Sequence, residues 1–247
     1  MIKVEIPEQL SDALRNVRRV VVLTGAGVSA ESNIPTFREA QTGLWEKYDP
    51  TELATPQAFN CNPRLVWDWY RWRRELISAA KPNPGHLALV EMEAHIPEFT
   101  LVTQNVDGLH RRAGSKNVLE LHGNIMLTKC FDCGRGVEIE AGNPGELPRC
   151  RDCGGLLRPD VVWFGENLPA AAIEGAMQAA RQAEVFFSIG TSALVQPAAS
   201  LPLYAIQGGA TVVEVNPAET PLSAQVQFVL RGPAGEVLPA LVKVVWE

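Results

Sequence analysis

Four cysteines in two tight pairs, Cys130-x2-Cys133-x16-Cys150-x2-Cys153, dictate where one part of this chain must go. Two intervening residues let a short loop turn both sulfurs to one side, and two such loops make a four-thiolate tetrahedron for zinc. The Gly/Pro-rich stretch between them lacks helical periodicity, as a ribbon folded around a metal requires. With all four positions filled by thiolates no place is left for water, so the ion is expected to be structural. In a reducing compartment such pairs hold a metal and do not form disulfides. Four cysteines kept only as small apolar residues fit poorly among the neighbouring Arg, Asp and Gly. Cys61 has no partner by spacing and is expected to pack.

Around that ribbon, short apolar runs at 20–24, 99–103, 118–121, 185–190 and 211–215 read as strands buried on both faces. Helical stretches at 11–18, 85–94 and 170–183 alternate with them. The alternation predicts an α/β fold, a Rossmann-like, mostly parallel sheet with helices on both faces. Two segments break the rhythm: residues 31–58 are polar and irregular, and 63–80 form a Trp-rich helix. The expected organisation is a discontinuous sheet domain of residues 1–38, 81–128 and 158–247, beside a small domain of 39–80 and 129–157. A chain of 247 residues is long enough for both.

A formal net charge of −6 disfavours general attraction to nucleic acid or an anionic membrane, so no direct nucleic-acid or membrane partner is expected. The first 14 residues lack the features of an export signal, and no apolar run approaches the ~20 residues that cross a bilayer. A cytoplasmic location is the expectation.

Gly25-Ala26-Gly27-Val28-Ser29-Ala30 follows the first strand directly. Glycines there let backbone N–H groups approach a pyrophosphate. On its own the pattern serves a tight strand-to-helix turn equally well. A hydride-transferring dehydrogenase would continue with a helix and a second strand ending in an acidic residue; ESNIPTFREAQTGLWEKYDP reads instead as a loop able to cover a site.

Taken together, GAGVSAESNIPTFR, TQNVDGLH, LHGN, RPDVVWFGE and GTSALVQP resemble the successive motifs of the sirtuins, in their order and over about residues 20–235. Asn33 stands where many members have glycine, and Thr36 where many have aspartate. The resemblance implies NAD consumed as a co-substrate, one structural zinc, and acyl-lysine proteins or peptides as substrates. It places NAD against Gly25, Ala26, Gly27, Ser29, Ile34, Phe37, Arg38 and Trp45, and against Gln104, Asn105, Val106 and Asp107. Gly190, Thr191 and Ser192, with Asn216, Pro217, Ala218 and Ala234, fall to the adenosine half. Amide and carboxylate groups just past a buried strand suit a carboxamide and ribose hydroxyls, although an isolated NVDG is more simply an Asx-type turn.

His122, in LHGN, stands where the sirtuin pattern places its catalytic base, and Asn105 joins it as a catalytic residue. Histidine titrates near neutrality and can take a proton at working pH. Of the other three histidines, His86 is expected to open a helix, His95 to lie at a surface or helix end, and His110 to be structural. By resemblance, the acyl-lysine carbonyl oxygen attacks the ribose carbon bearing nicotinamide, and His122 helps deprotonate a ribose hydroxyl that attacks the acyl carbon. Nicotinamide, O-acyl-ADP-ribose and free lysine result. The alternatives are a mono-ADP-ribosyltransferase and a non-catalytic NAD-sensing zinc module.

Tyr70 and Arg73, three apart, neighbour each other on one helical face and resemble the Tyr-x-x-Arg pattern of the bacterial desuccinylase, demalonylase and deacetylase branch (class III). A guanidinium and a phenol suit a carboxylate; the bland alternative is a solvated arginine among Arg71, Arg73 and Arg74. Ala54 matches the same branch, leaving room for a longer acyl chain. Val162, Trp163 and Phe164 are expected to hold the substrate main chain as an added strand.

Overall fold

The computed structural model describes residues 5–35, 48–138 and 146–247. Helix α1 (Glu8–Arg15) leads into strand β1 (Arg19–Thr24); α2 (Pro50–Leu53), α3 (Pro56–Cys61) and α4 (Pro63–Ala79) come next. Then follow α5 (Pro84–His95), β2 (Glu98–Thr103), α6 (Leu109–Ala113), β3 (Val118–Glu120), and the pair β4 (Gly123–Cys130) and β5 (Leu157–Val161). The chain closes with α7 (Ala170–Gln182), β6 (Val185–Ile189), α8 (Leu201–Gln207), β7 (Thr211–Val215), β8 (Phe228–Leu230) and α9 (Ala234–Trp246).

Six strands form one all-parallel sheet in the order β3-β2-β1-β6-β7-β8. Alternate residues of β1 feed opposite cores, as the two-residue period of a strand demands. Val20 and Val22 pack with Leu10 and Leu14 of α1, Leu89 and Met92 of α5, and Leu238 and Leu241 of α9. Val21 and Leu23 pack on the other face with Ala176 and Ala180 of α7 and Leu201 and Ala205 of α8. A third apolar cluster joins α2, α3 and α4 to β4 and β5 through Phe59, Trp69, Tyr70, Ile125, Leu157 and Trp163. The boundaries expected at 128/129 and 157/158 fall within the strands of the antiparallel β4–β5 pair.

Local rules explain the small module's helices. Thr55 caps α3 by accepting from Ala58 N at 3.0 Å, and Asn62 caps α4 by accepting from Leu65 N at 3.1 Å. Each cap is followed by proline, whose missing N–H is no loss in the first turn. Residues 48–58 are thus less irregular than expected, since α2 and part of α3 lie within them. The expectation that Cys61 packs is corrected: it is exposed at the last position of α3, whose buried face is carried by Phe59. Among the described residues no helix is long and apolar enough to cross a membrane.

At the carboxyl end of β1 the strand order reverses, with β2 on one side and β6 on the other, which opens a crevice suited to a ligand. There two loops touch backbone to backbone: Gly25 N donates to Ile189 O at 3.0 Å and Gly27 N to Gly190 O at 2.8 Å. A Cβ on Gly27 would lie 2.8 Å from Gly190 Cα, and one on Gly190 would lie 2.5 Å from Val28 N. Gly190 also has φ of 60°. Gly190→Ala is therefore expected to lower the unfolding free energy by about 2–5 kcal/mol, read as a shifted urea midpoint; an unchanged midpoint would show that this approach is not required.

Candidate active site

The two cysteine loops have the same build. Gly134 N donates to Cys130 O at 3.1 Å and Gly154 N to Cys150 O at 2.9 Å, and both glycines are left-handed, with φ of 71° and 75°. The four sulfurs lie within 4.8 Å of one another, with Cys130 and Cys153 at 3.4 Å and Cys133 and Cys150 at 3.9 Å. A tetrahedral zinc with bonds of about 2.3 Å needs sulfurs roughly 3.8 Å apart, so the set fits that ion. Asp152, paired with Arg135 at 2.8 Å, stands beside Cys150.

In the crevice, Ala26–Val28 form one turn of 3-10 helix, which carries Ser29 into the interior. Ser29 Oγ donates to Asp107 Oδ2 at 2.8 Å and accepts from Asn105 Nδ2 at 3.1 Å. Asn105 Nδ2 also donates to Gly25 O at 3.0 Å, so the segment after β2 is tied to the segment after β1. Burial raises the Asp107 pKa, against the Leu109 amide, the Ser29 hydroxyl, and the charges of Arg112 and Arg73. Asn33 has φ of 59°, a left-handed conformation that asparagine tolerates and glycine adopts freely, which accounts for the residue at this motif position.

Behind this layer stands a buried group that sequence reasoning did not connect. His86 opens α5 as expected: Asn83 N donates to its Nδ1 at 3.3 Å in a reciprocal cap. That fixes the ring proton on Nε2, which points at Ser29 Oγ across 3.5 Å. Asn83 Nδ2 in turn donates to Val28 O and Ser32 Oγ, at 2.8 and 3.0 Å. His110 Nε2 lies 2.9 Å from Thr24 Oγ1, which donates to Thr103 Oγ1 at 2.8 Å. Burial pushes His86 down to about 4; burial, then the His86 charge, pushes His110 to about 3. Both rings are neutral at pH 7. The cap spacing of Asn83, Pro84 and His86 was the available signal. His95 is exposed at the end of α5, stacked on Trp246.

His122 follows β3, and its Nδ1 lies 2.8 Å from Gln104 O. A carbonyl only accepts, so Nδ1 carries the proton and Nε2 holds the lone pair. Burial lowers the His122 pKa, partly offset by the Gln104 carbonyl, so the ring is a neutral base at pH 7. Its own carbonyl accepts from Val162 N at 2.9 Å, joining it to the Val162–Phe164 segment.

Thr191 links the two ends of the crevice. Its Oγ1 accepts from Gln104 Nε2 at 3.2 Å, and its carbonyl accepts from Asn216 Nδ2 at 2.8 Å. Ser192 leads into Ala193, which is left-handed at φ of 55° and donates its N–H back to Thr191 Oγ1 at 3.2 Å. Pro217 and Ala218 form the turn after Asn216, with Ala218 N donating to Asn216 Oδ1 at 3.2 Å. Ala234 is buried at the start of α9, where Glu31 accepts from Gly235 N at 2.7 Å.

On the small module's side, Tyr70 is buried and its hydroxyl accepts from Trp163 Nε1 at 2.8 Å. The half-buried Arg73 guanidinium carbon stands 4.9 Å from the Trp69 ring centroid and 5.8 Å from that of Tyr70. Burial lowers the Arg73 pKa, offset by Tyr70 and Asp107. Ile34 and Val106, from the sheet body, pack against the small module's core. Ala54 is buried, and its carbonyl accepts from Phe164 N at 2.9 Å. Along Val162–Phe164 the ring of Trp163 is buried while Phe164 is exposed. Phe37, Arg38 and Trp45 lie outside the described residues, as does Thr36.

Comparison with known proteins agrees with this geometry. The profile of the Sir2 family matches residues 25–197. The chain is similar, at 50% identity over 97% of both chains, to a Methylococcus capsulatus protein named NAD-dependent protein deacylase. Among solved structures it is similar to a Sir2 homolog–NAD complex, with a TM-score of 0.92 and 49% identity over 98% of this chain and 94% of that one. It is also similar to a Sir2 bound to acetylated peptide, with a TM-score of 0.87 and 32% identity over 97% and 98%.

Removing the metal tests the thiolate cluster. One zinc per chain is expected by elemental analysis. A strong chelator should release it and loosen the packing of Phe131 on Phe59 and Trp163, whose ring centroids are 5.1 and 6.2 Å away. Tryptophan fluorescence should shift as the ion leaves; an unaltered spectrum after complete release would show that the ribbon does not depend on it.

Proposed function

Because the chain belongs to the Sir2 family, we propose that it is an NAD-dependent protein lysine deacylase, with Tyr70 and Arg73 steering it toward succinyl and malonyl groups and acetyl as a further substrate. The observation that carries the reaction is the His122 ring, held with Nδ1–H on the Gln104 carbonyl and its Nε2 lone pair available. NAD, consumed as co-substrate, supplies the ribose carbon from which nicotinamide departs and the hydroxyl that receives the acyl group. His122 Nε2 takes the proton of that hydroxyl, and the Gln104 carbonyl stabilises the charged ring that results. Asn105 and Asp107, locked through Ser29, line the nicotinamide and ribose side, while Thr191 and Asn216 serve the adenosine side. Gly25, Ala26 and Gly27 form the phosphate turn, and the main chain of Val162–Phe164 holds the peptide as an added strand. The four thiolates hold a structural zinc that keeps the β4–β5 ribbon against α3 and α4.

For the acyl group, Arg73 offers a planar fork of donors and Tyr70 a neutral phenol, its pKa pushed to about 12 by burial. Both suit a carboxylate. A mono-ADP-ribosyltransferase or a nucleotide sensor has no need of a free Nε2 on His122; nicotinamide release that depends on an acyl-lysine peptide separates the deacylase from both.

His122→Ala is expected to cut deacylation by about 10²–10⁴-fold without changing the far-ultraviolet circular dichroism. Because burial lowers the His122 pKa below 6.5, the base is present at pH 7 and is lost as pH falls, so the acid limb of kcat/KM should lie below 6.5. An acid limb above that value would count against His122. For the acyl preference, Arg73→Met should reduce desuccinylation by roughly ten- to a hundredfold more than deacetylation; equal losses on matched succinyl and acetyl peptides would refute the acidic pocket.

A further inference from the structure

The only hydrogen bond among the described residues that reaches the Tyr70 hydroxyl comes from Trp163 Nε1, at 2.8 Å between two buried side chains. An indole nitrogen only donates, so the phenol oxygen must accept here. Its own proton stays on oxygen at any working pH, and among the described residues it is donated to no one.

The indole cannot easily swing away. The Arg158 guanidinium carbon sits 3.2 Å from its ring centroid. Glu166 grips Arg158 at 2.5 and 3.0 Å and accepts the Trp163 amide N–H at 2.8 Å. Phe59 and Phe131 stand against it, with centroids at 5.3 and 6.2 Å. Arg158 and Glu166 therefore fix the ring that fixes the phenol.

We propose that Trp163 is a positioning residue for acyl selection: by donating its indole N–H to Tyr70, it leaves that hydroxyl only the role of donor toward the acyl terminus. The inference rests on the acidic-acyl reading of Tyr70 and Arg73. A guanidinium also offers donors alone, so this end of the pocket complements a group that only accepts, which an ionised carboxylate does. A terminal amide of the same size would turn N–H donors against donors and leave them unmatched.

The test replaces Trp163 with 3-benzothienylalanine, which keeps the ring shape and lacks the N–H. Values of kcat and KM for succinyl- and acetyl-lysine peptides are measured on the full chain, alone and with Tyr70→Phe. The succinyl-to-acetyl ratio of kcat/KM should fall about three- to tenfold, mainly through KM for the succinyl peptide. In the Tyr70→Phe background the same replacement should change the ratio by less than about twofold, because the partner is already gone. If the analogue protein does not fold, Trp163→Phe is measured the same way. Equal loss on both peptides, or an undiminished loss with Tyr70→Phe, would overturn the proposal. If Arg73→Met lowers the ratio and the Trp163 replacement does not, only the positioning role falls; if neither does, the acidic-acyl reading falls with it.

Discussion

Two backbones pressed together at the end of β1 hold the crevice in shape. The Gly27 N–H meets the Gly190 carbonyl at 2.8 Å, with no room for a side chain between them. Because β6 lies beside β1 while the chain after β1 departs toward β2, this contact forms where the strand order reverses. Several polar groups of the crevice are tied to it. Ser29 hangs from the turn that Gly27 permits, Asn105 reaches Gly25 O, and Thr191 follows Gly190 directly. Interiors transmit such displacements because they are packed near crystal density, so a shift of that turn moves the whole hydrogen-bonded set.

The second body depends on a different force. Its core gathers the aromatic rings of Phe59, Trp69, Tyr70 and Trp163 with Ile125 and Leu157. The four cysteines between β4 and β5 form a set that can hold a zinc, closing the intervening loop beside Phe131, which packs on Phe59. The same aromatic group orders the Tyr70 hydroxyl through Trp163, so the cysteine ribbon and that hydroxyl share one piece of packing.

Neutral histidines unify the electrostatics. His86 and His110 are buried behind the crevice with pKa values near 4 and 3, and His122 is shifted in the same direction by the same cause. Desolvation disfavours the imidazolium in each case. At His122 the Gln104 carbonyl holds the proton on Nδ1, so the unprotonated nitrogen is Nε2. At His86 the Asn83 amide decides it the other way.

Much of this was legible in the sequence. The strands at 20–24, 99–103 and 211–215 were readable because strands buried on both faces are continuous apolar runs, and the cysteine quartet because metal geometry fixes spacing. Strands β4 and β5 were not, since a register shift between Asn124 and Thr128 leaves Met126 and Leu127 exposed and breaks the alternation. Helix α9 carries Pro239 in its interior, which masks its period. The sequence names His122, Asn105, Asp107, Tyr70 and Arg73 as candidates, because motifs record side-chain chemistry. Which nitrogen of His122 is free, that Ser29 joins Asn105 to Asp107, and that Trp163 meets Tyr70 across 93 positions were decided only by the tertiary structure. Hydrogen bonds between distant segments depend on how packed elements bring them together, and no local pattern in the chain encodes that distance.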